Sequence, residues 1–224
     1  MAKNILTHNL TEPLGNATAA KVYINNGDGN LEVDGFTGGE QLLASGTLEY
    51  LEKQGLPTRT LNTSNAQATL ELKANNGPVK QTWFRFPWQA CNGATVWQIH
   101  LNPKVQADIT AHSDGGNVKL NLAGMSVTRL SADTGGGNME VNLPDAIANL
   151  SVTVKSGAGN VTVSVPGGIA ARIYATTGLG KVIVDPSFNK IDAKTYQSPD
   201  YDAAANKVEI TASSGAGNVS VNSK

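Results

Sequence analysis

A short glycine element recurs along this chain at nearly constant spacing, and it restricts the fold more than any other feature. Its form is Gly-x-Gly-Asn, seen at Gly135, Gly136, Gly137, Asn138 and again at Gly157, Ala158, Gly159, Asn160. A related copy ends at Asn117, 21 residues before Asn138, and the next step, to Asn160, is 22. Gly178, Leu179, Gly180, Lys181 follows 21 residues later with lysine in the asparagine place, and the spacing then stretches to 37 before Asn218. An early copy stands at Gly27, Asp28, Gly29, Asn30. Repetition on this scale signals a stack of supersecondary units.

Each element is followed by alternation: Val118, Leu120, Leu122; Met139, Val141, Leu143; Val161, Val163, Val165. A second alternation precedes it, as in Ile109, Ala111; Leu150, Val152, Val154; and Val208, Ile210, Ala212. Period two with polar residues between is the pattern of a half-buried β-strand. Every unit therefore reads strand, glycine turn, strand. At the turn, Gly and Asn are expected to supply positive φ, where a bulkier residue costs roughly 1 to 2 kcal/mol. One unit cannot cover its own apolar face, so neighbouring units must close over one another. The expected fold is all-β, a β-solenoid-like stack of strand-turn-strand repeats, with an antiparallel β-sandwich as the alternative arrangement.

No shift in composition marks a linker, so residues 1–224 are expected to form a single domain. Less regular units occupy 20–101, regular repeats 105–185, an insertion 186–206 and a final unit 207–222. Leu42 to Gln54 reads as a strand because Gly46 and the surrounding β pattern outweigh a loose helical spacing. Thr69 to Lys73 and the run Trp97, Ile99, Leu101 alternate in the same way.

Seventeen Lys and Arg against eighteen Asp and Glu give a formal net charge of -1. That balance excludes nucleic acid as a principal partner, since phosphate neutralisation needs a basic surface. Met1 to Pro13 has neither the apolar run nor the cleavage site of a secretory signal, and no window reaches the length of a membrane-spanning helix. Cys91 is alone, so no intrachain disulfide forms, and it reads as a small buried hydrophobe.

No catalytic, cofactor-binding or metal-ligating residues are assigned. Asp114 lies three residues before its repeat Asn and Asp133 five before its own, so they do not form a carboxylate row. His8, His100 and His112 lack metal-ligand spacing. The glycine elements lead into strands, so no helix N-terminus is present to hold phosphate. Lys119 and Glu140 share a repeat position and are expected to sit side by side on adjacent units. The candidate contact surface is aromatic: Trp83, Arg85 and Trp88, with Phe84 and Phe86 between them and Trp97 close behind, could stack on sugar rings or fill an end of the core. Tyr196 and Tyr201, in the segment that breaks the period, are further candidates, because insertions in repeat stacks carry contacts.

The glycine elements, the LEVDG run after the first of them and the LP and VP pairs resemble the toast-rack β domain of bacterial adhesins and of LiaF-like proteins, the cell-wall-active antibiotic response family. The likeness runs from about Val22 to Val221. It implies a stacked all-β fold and no enzyme activity, with protein as the partner in regulatory binding at the cell envelope. An adhesin or cell-wall-glycan-binding module is the alternative. The LiaF-like pattern includes N-terminal transmembrane helices that these residues lack, so the resemblance leaves open a cytoplasmic location or membrane association through a partner or a missing anchor. Exposed strands at the ends of such a stack need capping or self-association.

Overall fold

The computed structural model describes residues 4–36, 41–75, 95–145 and 148–224. Their strands form two facing sheets. Seven strand pairs build the body: β2 (Ala19–Asn25) with β3 (Asn30–Gly35), β6 (Gln67–Lys73) with β7 (Val96–Leu101), β8 (Gln106–Ser113) with β9 (Val118–Asn121), β10 (Val127–Thr134) with β11 (Met139–Asn142), β12 (Asn149–Ala158) with β13 (Val161–Val165), β14 (Ala170–Leu179) with β15 (Val182–Val184), and β18 (Lys207–Ala216) with β19 (Val219–Ser223). The first member of each pair lies in a ten-stranded sheet and the second in a nine-stranded one. Within each sheet these strands run parallel, so each pair is one rung of a stack. The expected solenoid-like arrangement is the one found.

Antiparallel strands cover one end of the nine-stranded sheet and both ends of the ten-stranded one. In the nine-stranded sheet β4 (Leu42–Leu51) pairs with β7, and β1 (Ile5–Pro13) with β4. In the ten-stranded sheet β5 (Thr58–Ser64) covers β6, while β17 (Thr195–Gln197) and the two-residue β16 (Asn189–Lys190) cover β14. Leu42 to Leu51 is a strand as expected, followed by a single 3-10 turn at Glu52–Gln54.

Rung order departs from chain order at both ends. The first unit, β2–β3, lies between β6–β7 and β8–β9, and the last, β18–β19, lies between β12–β13 and β14–β15. The 37-residue spacing before Asn218 therefore marks a return path. Residues 185–206 carry the chain past β14–β15, lay β17 on its edge, and bring β18 back one rung.

The alternating residues meet between the sheets. Val118, Met139 and Val161 are all buried, as are Ile109, Leu130 and Val152 of the facing sheet, in one continuous apolar cluster. A fully buried Val or Leu contributes about 1.5–3 kcal/mol, so the rows hold the rungs together.

The corners hold three ladders. Asn117 N–H donates to Asn30 Oδ1, Asn138 N–H to Asn117 Oδ1, Asn160 N–H to Asn138 Oδ1, and Asn218 N–H to Asn160 Oδ1, each at 2.9 Å. Lys181 N–H takes Asn218 Oδ1 at the end of the series. The repeat asparagine thus serves as a side-chain acceptor for the next rung, a role the turn argument did not anticipate. Buried hydroxyls make the second ladder. Thr134 Oγ1 donates to the Gly116 carbonyl at 2.7 Å, Ser156 Oγ to Gly137 at 2.8 Å, and Ser214 Oγ to Gly159 at 2.7 Å. The glycines themselves form the third, taken up in the Discussion.

Thr134 also accepts from Gly137 N–H at 3.3 Å. Thr134→Val keeps the shape and removes the hydroxyl, leaving a buried carbonyl and N–H without that partner. The expected loss is about 1–3 kcal/mol in denaturant unfolding, while Thr134→Ser stays within about 0.5 kcal/mol. Equal stability of the Val and Ser variants would remove the ladder from the account.

Candidate functional site

The outward face of the ten-stranded sheet carries the chemistry. Because side chains alternate and the rungs are in register, residues one repeat apart line up across the strands. One row reads Lys21, Asp108, Arg129, Ser151, Glu209, Arg172. Opposite charges alternate along it, and Arg129 Nε lies 3.8 Å from Asp108 Oδ2. The next outward row is made of hydroxyls: Tyr23, Thr110, Ser131, Thr153, Thr211, Tyr174, with the exposed tyrosines at its two ends. The third runs Asn25, His112, Asp133, Lys155, Ser213, Thr176.

Two shallow open depressions indent this face. One, of about 580 Å³, lies beside the glycine corner and includes His112, Asp133 and Lys155. The imidazole of His112 sits between two carboxylates, with Nδ1 2.5 Å from Asp133 Oδ2 and Nε2 3.0 Å from Asp114 Oδ1. A neutral ring donates from one nitrogen only, so two acceptors favour the imidazolium. Burial pulls the His112 pKa down, but the bonds to Asp114 and Asp133 and their charges more than offset it, leaving the pKa above its ordinary value of 6.5. Asp114 and Asp133 indeed occupy different repeat positions, yet they converge on one histidine. The signal was present: His112 and Asp133 are 21 residues apart, one full repeat. On the outward face of the other sheet His100 Nδ1 pairs in the same way with Asp34 Oδ1. Neither pair shows as a metal-ligand spacing in the sequence, because each joins residues on different strands.

A histidine whose pKa is raised on folding stabilises the fold fully below its unfolded value of about 6.5, and that contribution fades as pH climbs through the higher folded value. With 36% of the His112 side chain exposed, screening holds the effect below about 1 kcal/mol. The melting temperatures of the wild type and of His112→Gln differ most near about pH 6 and converge by about pH 9. A gap independent of pH would refute the pairing.

The second depression, of about 540 Å³, lies where the same strands begin and includes Arg172, Tyr201, Lys207 and Glu209. Here the Arg172 guanidinium lies 4.4 Å from the centre of the Tyr201 ring and the Lys207 ammonium 5.2 Å. Tyr201 Oη donates to Glu209 Oε1 at 3.2 Å. Burial, then the Glu209 charge, pushes the Tyr201 hydroxyl above its ordinary pKa. These contacts fasten the return segment onto the sheet.

The candidate contact residues fall in two places, the Trp83 to Trp97 run and the segment with Tyr196 and Tyr201, and only part of them is among the described residues. Trp83, Arg85 and Trp88 lie outside them. Trp97 is only 1% exposed, and its Nε1 donates to the Glu49 carbonyl at 2.9 Å, so it is a core residue with no free face for a ligand. Its place in the β7 alternation with Ile99 and Leu101 turns it inward. Tyr201 is 5% exposed and serves the depression through its rim contacts. Tyr196 is half-buried on β17 opposite Ile173, with the Lys190 ammonium 5.8 Å from its ring. Lys119 and Glu140 are register neighbours on β9 and β11, as the repeat predicted. Among the described residues no His, Cys, Asp and Glu group could hold a metal ion, and no helix is long and apolar enough to cross a membrane.

No curated protein matches the chain. Among solved structures it is similar to a candidate cell adhesion protein from Clostridium sporogenes ATCC 15579, with a TM-score of 0.87 at 22% identity over 99% of this chain and 100% of the other. That likeness shows a shared fold. A candidate adhesin from Bacteroides fragilis NCTC 9343 aligns over 98% of both chains at 11% identity with a TM-score of 0.34, too low to bear on the fold. Residues 116–221 match the family described as cell wall-active antibiotics response LiaF, C-terminal. Residues 2–164, well over half the chain, match the N-terminal domain of toast_rack, DUF2154, and with the stacked corners in place the chain belongs to the toast-rack family.

Proposed function

We propose that this chain is a non-enzymatic, regulatory protein-binding module of the bacterial cell envelope, one folding unit across 1–224, whose contact surface is the outward face of the ten-stranded sheet. The matched families are toast-rack and LiaF-like, not enzyme families. The observation that carries the reading is the alternating charge row from Lys21 to Arg172 on a broad face that carries two shallow depressions among the described residues. A shallow, charge-patterned face suits a macromolecular partner, whereas small ligands favour concave and mostly apolar pockets. Arg129, paired with Asp108 on one side and with 66% of its side chain exposed, keeps surface available to a partner carboxylate.

The test is capture of envelope proteins from the source cell on the immobilised chain, alongside Arg129→Glu with its melting temperature checked. Recovery of a membrane sensor protein by the wild type and its loss with Arg129→Glu supports the reading. A second reading, an adhesin that binds cell-wall glycan, is favoured by Tyr23 and Tyr174 standing exposed at both ends of the hydroxyl row. A glycan-array signal lost on Tyr23→Ala or Tyr174→Ala, with no protein captured, would put it first.

A further inference from the structure

Among the described residues the nine-stranded sheet has two edges without an outer neighbour, β1 at one end and β15 at the other. Strand β15 pairs with β19 on one side, and among the described residues no strand pairs with its other edge. Val219 N–H donates to the Lys181 carbonyl and Asp185 N–H to the Val221 carbonyl, each at 2.9 Å. The backbone groups of Lys181, Ile183 and Asp185 therefore face β19, and alternation turns those of Val182 and Val184 toward the open edge. Side chains alternate in the other sense. Val182 and Val184 are half-buried against the core cluster, while Ile183 is 50% exposed on the outer face. The strand β17 meets only Arg172–Tyr174, on the part of β14 further from the corner, and leaves this edge clear.

The sequence along the edge, Lys181-Val182-Ile183-Val184-Asp185, is complementary to itself when reversed. Centred on Ile183, an antiparallel copy places Val182 opposite the partner's Val184, which is the pair whose N–H and C=O groups both point outward. Ile183 then meets the partner's Ile183, and Lys181 meets the partner's Asp185 on the same face, in the positions where antiparallel side chains approach closely. A further parallel rung has no such support. Lys181 takes the last amide oxygen of the asparagine ladder and offers none onward. Pro186, which lacks an N–H, ends the pairing one residue beyond Asp185. At the opposite end the edge strand β5 is polar and exposed except at Leu61, and β1, the other edge of the nine-stranded sheet, exposes Thr7, Asn9 and Thr11 and has no self-complementary charge pair along that face.

We propose that β15 is the contact edge of a twofold homodimer in which residues 181–185 of two copies pair antiparallel about Ile183. The short ladder makes this a transient, concentration-dependent contact. It is independent of the partner surface on the ten-stranded sheet.

Sedimentation velocity over a concentration series tests it on the full chain. A monomer–dimer equilibrium is expected. Lys181→Glu, which sets a carboxylate against the partner's Asp185 twice per dimer, raises the dissociation constant by more than about ten-fold, and Ile183→Lys does the same, both with melting temperatures unchanged. In a Cys91→Ser background, Ile183→Cys yields a disulfide-linked dimer under mild oxidation, while Tyr174→Cys, at the same end but on the other sheet, does not. A chain that stays monomeric at every concentration overturns the proposal, with Lys181 then acting only to guard the edge. So does a dimer that survives Ile183→Lys and fails to cross-link through position 183.

Discussion

Gly159→Val destabilises the protein by about 3–5 kcal/mol, the upper range for overpacking a rigid site, and lowers its melting temperature by roughly 6–20 °C. A Cβ at this position would lie 2.2 Å from the Gly137 carbonyl oxygen, 2.6 Å from its carbon and 3.1 Å from Asn138 N. These are backbone atoms of the next rung and cannot turn aside as a side chain would. The cause differs from the one the turn pattern suggested, because Gly159 is not at positive φ. The same approach recurs at Gly116, Gly137 and Gly217, each against the equivalent carbonyl of its neighbour. Two controls separate the mechanisms. Gly136→Ala, with its nearest atom at 3.9 Å, leaves stability within about 0.5 kcal/mol. Gly124→Ala, at φ +71 with nothing within 4 Å, costs only about 1–2 kcal/mol of backbone strain. Thermal unfolding of the three variants reads the order directly, and a Gly159→Val protein as stable as Gly136→Ala would end the stacking explanation.

Trp97→Ala costs about 3–5 kcal/mol, the range for emptying a buried aromatic site. Trp97 is among the largest fully buried side chains, and it joins β7 to β4 through the bond from its indole N–H to the Glu49 carbonyl. Trp97→Phe retains most of the volume and loses that bond, costing about 1–2 kcal/mol. Acrylamide leaves the Trp97 fluorescence largely unquenched in the folded chain, read in a variant with Trp83 and Trp88 replaced by phenylalanine. Strong quenching with unchanged stability would return Trp97 to the surface and reopen its role as a sugar platform.

The strands were legible because a half-buried strand writes its own period into the sequence: Val118, Leu120 and Leu122 point one way whatever their neighbours are. The unit length was legible for the same reason, and with it the adjacency of Lys119 and Glu140. The site was less so. His112 meets Asp133 because parallel rungs bring residues one repeat apart to the same height, a pairing that a comparison of carboxylates with carboxylates does not reveal. Asn138 carried the right expectation of a corner for an incomplete reason, since its amide oxygen serves a neighbouring rung that a single unit does not reveal.

What the amino-acid sequence determined by itself is the repeating unit and the inward face, because both follow from alternation over a few adjacent residues. Only the tertiary structure decided the order of the rungs. Each corner presents nearly the same asparagine, hydroxyl and glycine surfaces above and below, so β18–β19 would satisfy local chemistry equally well in several places in the stack. The choice falls to the length of the 185–206 return and to β17 lying on β14, contacts between residues far apart in the chain that no short window records.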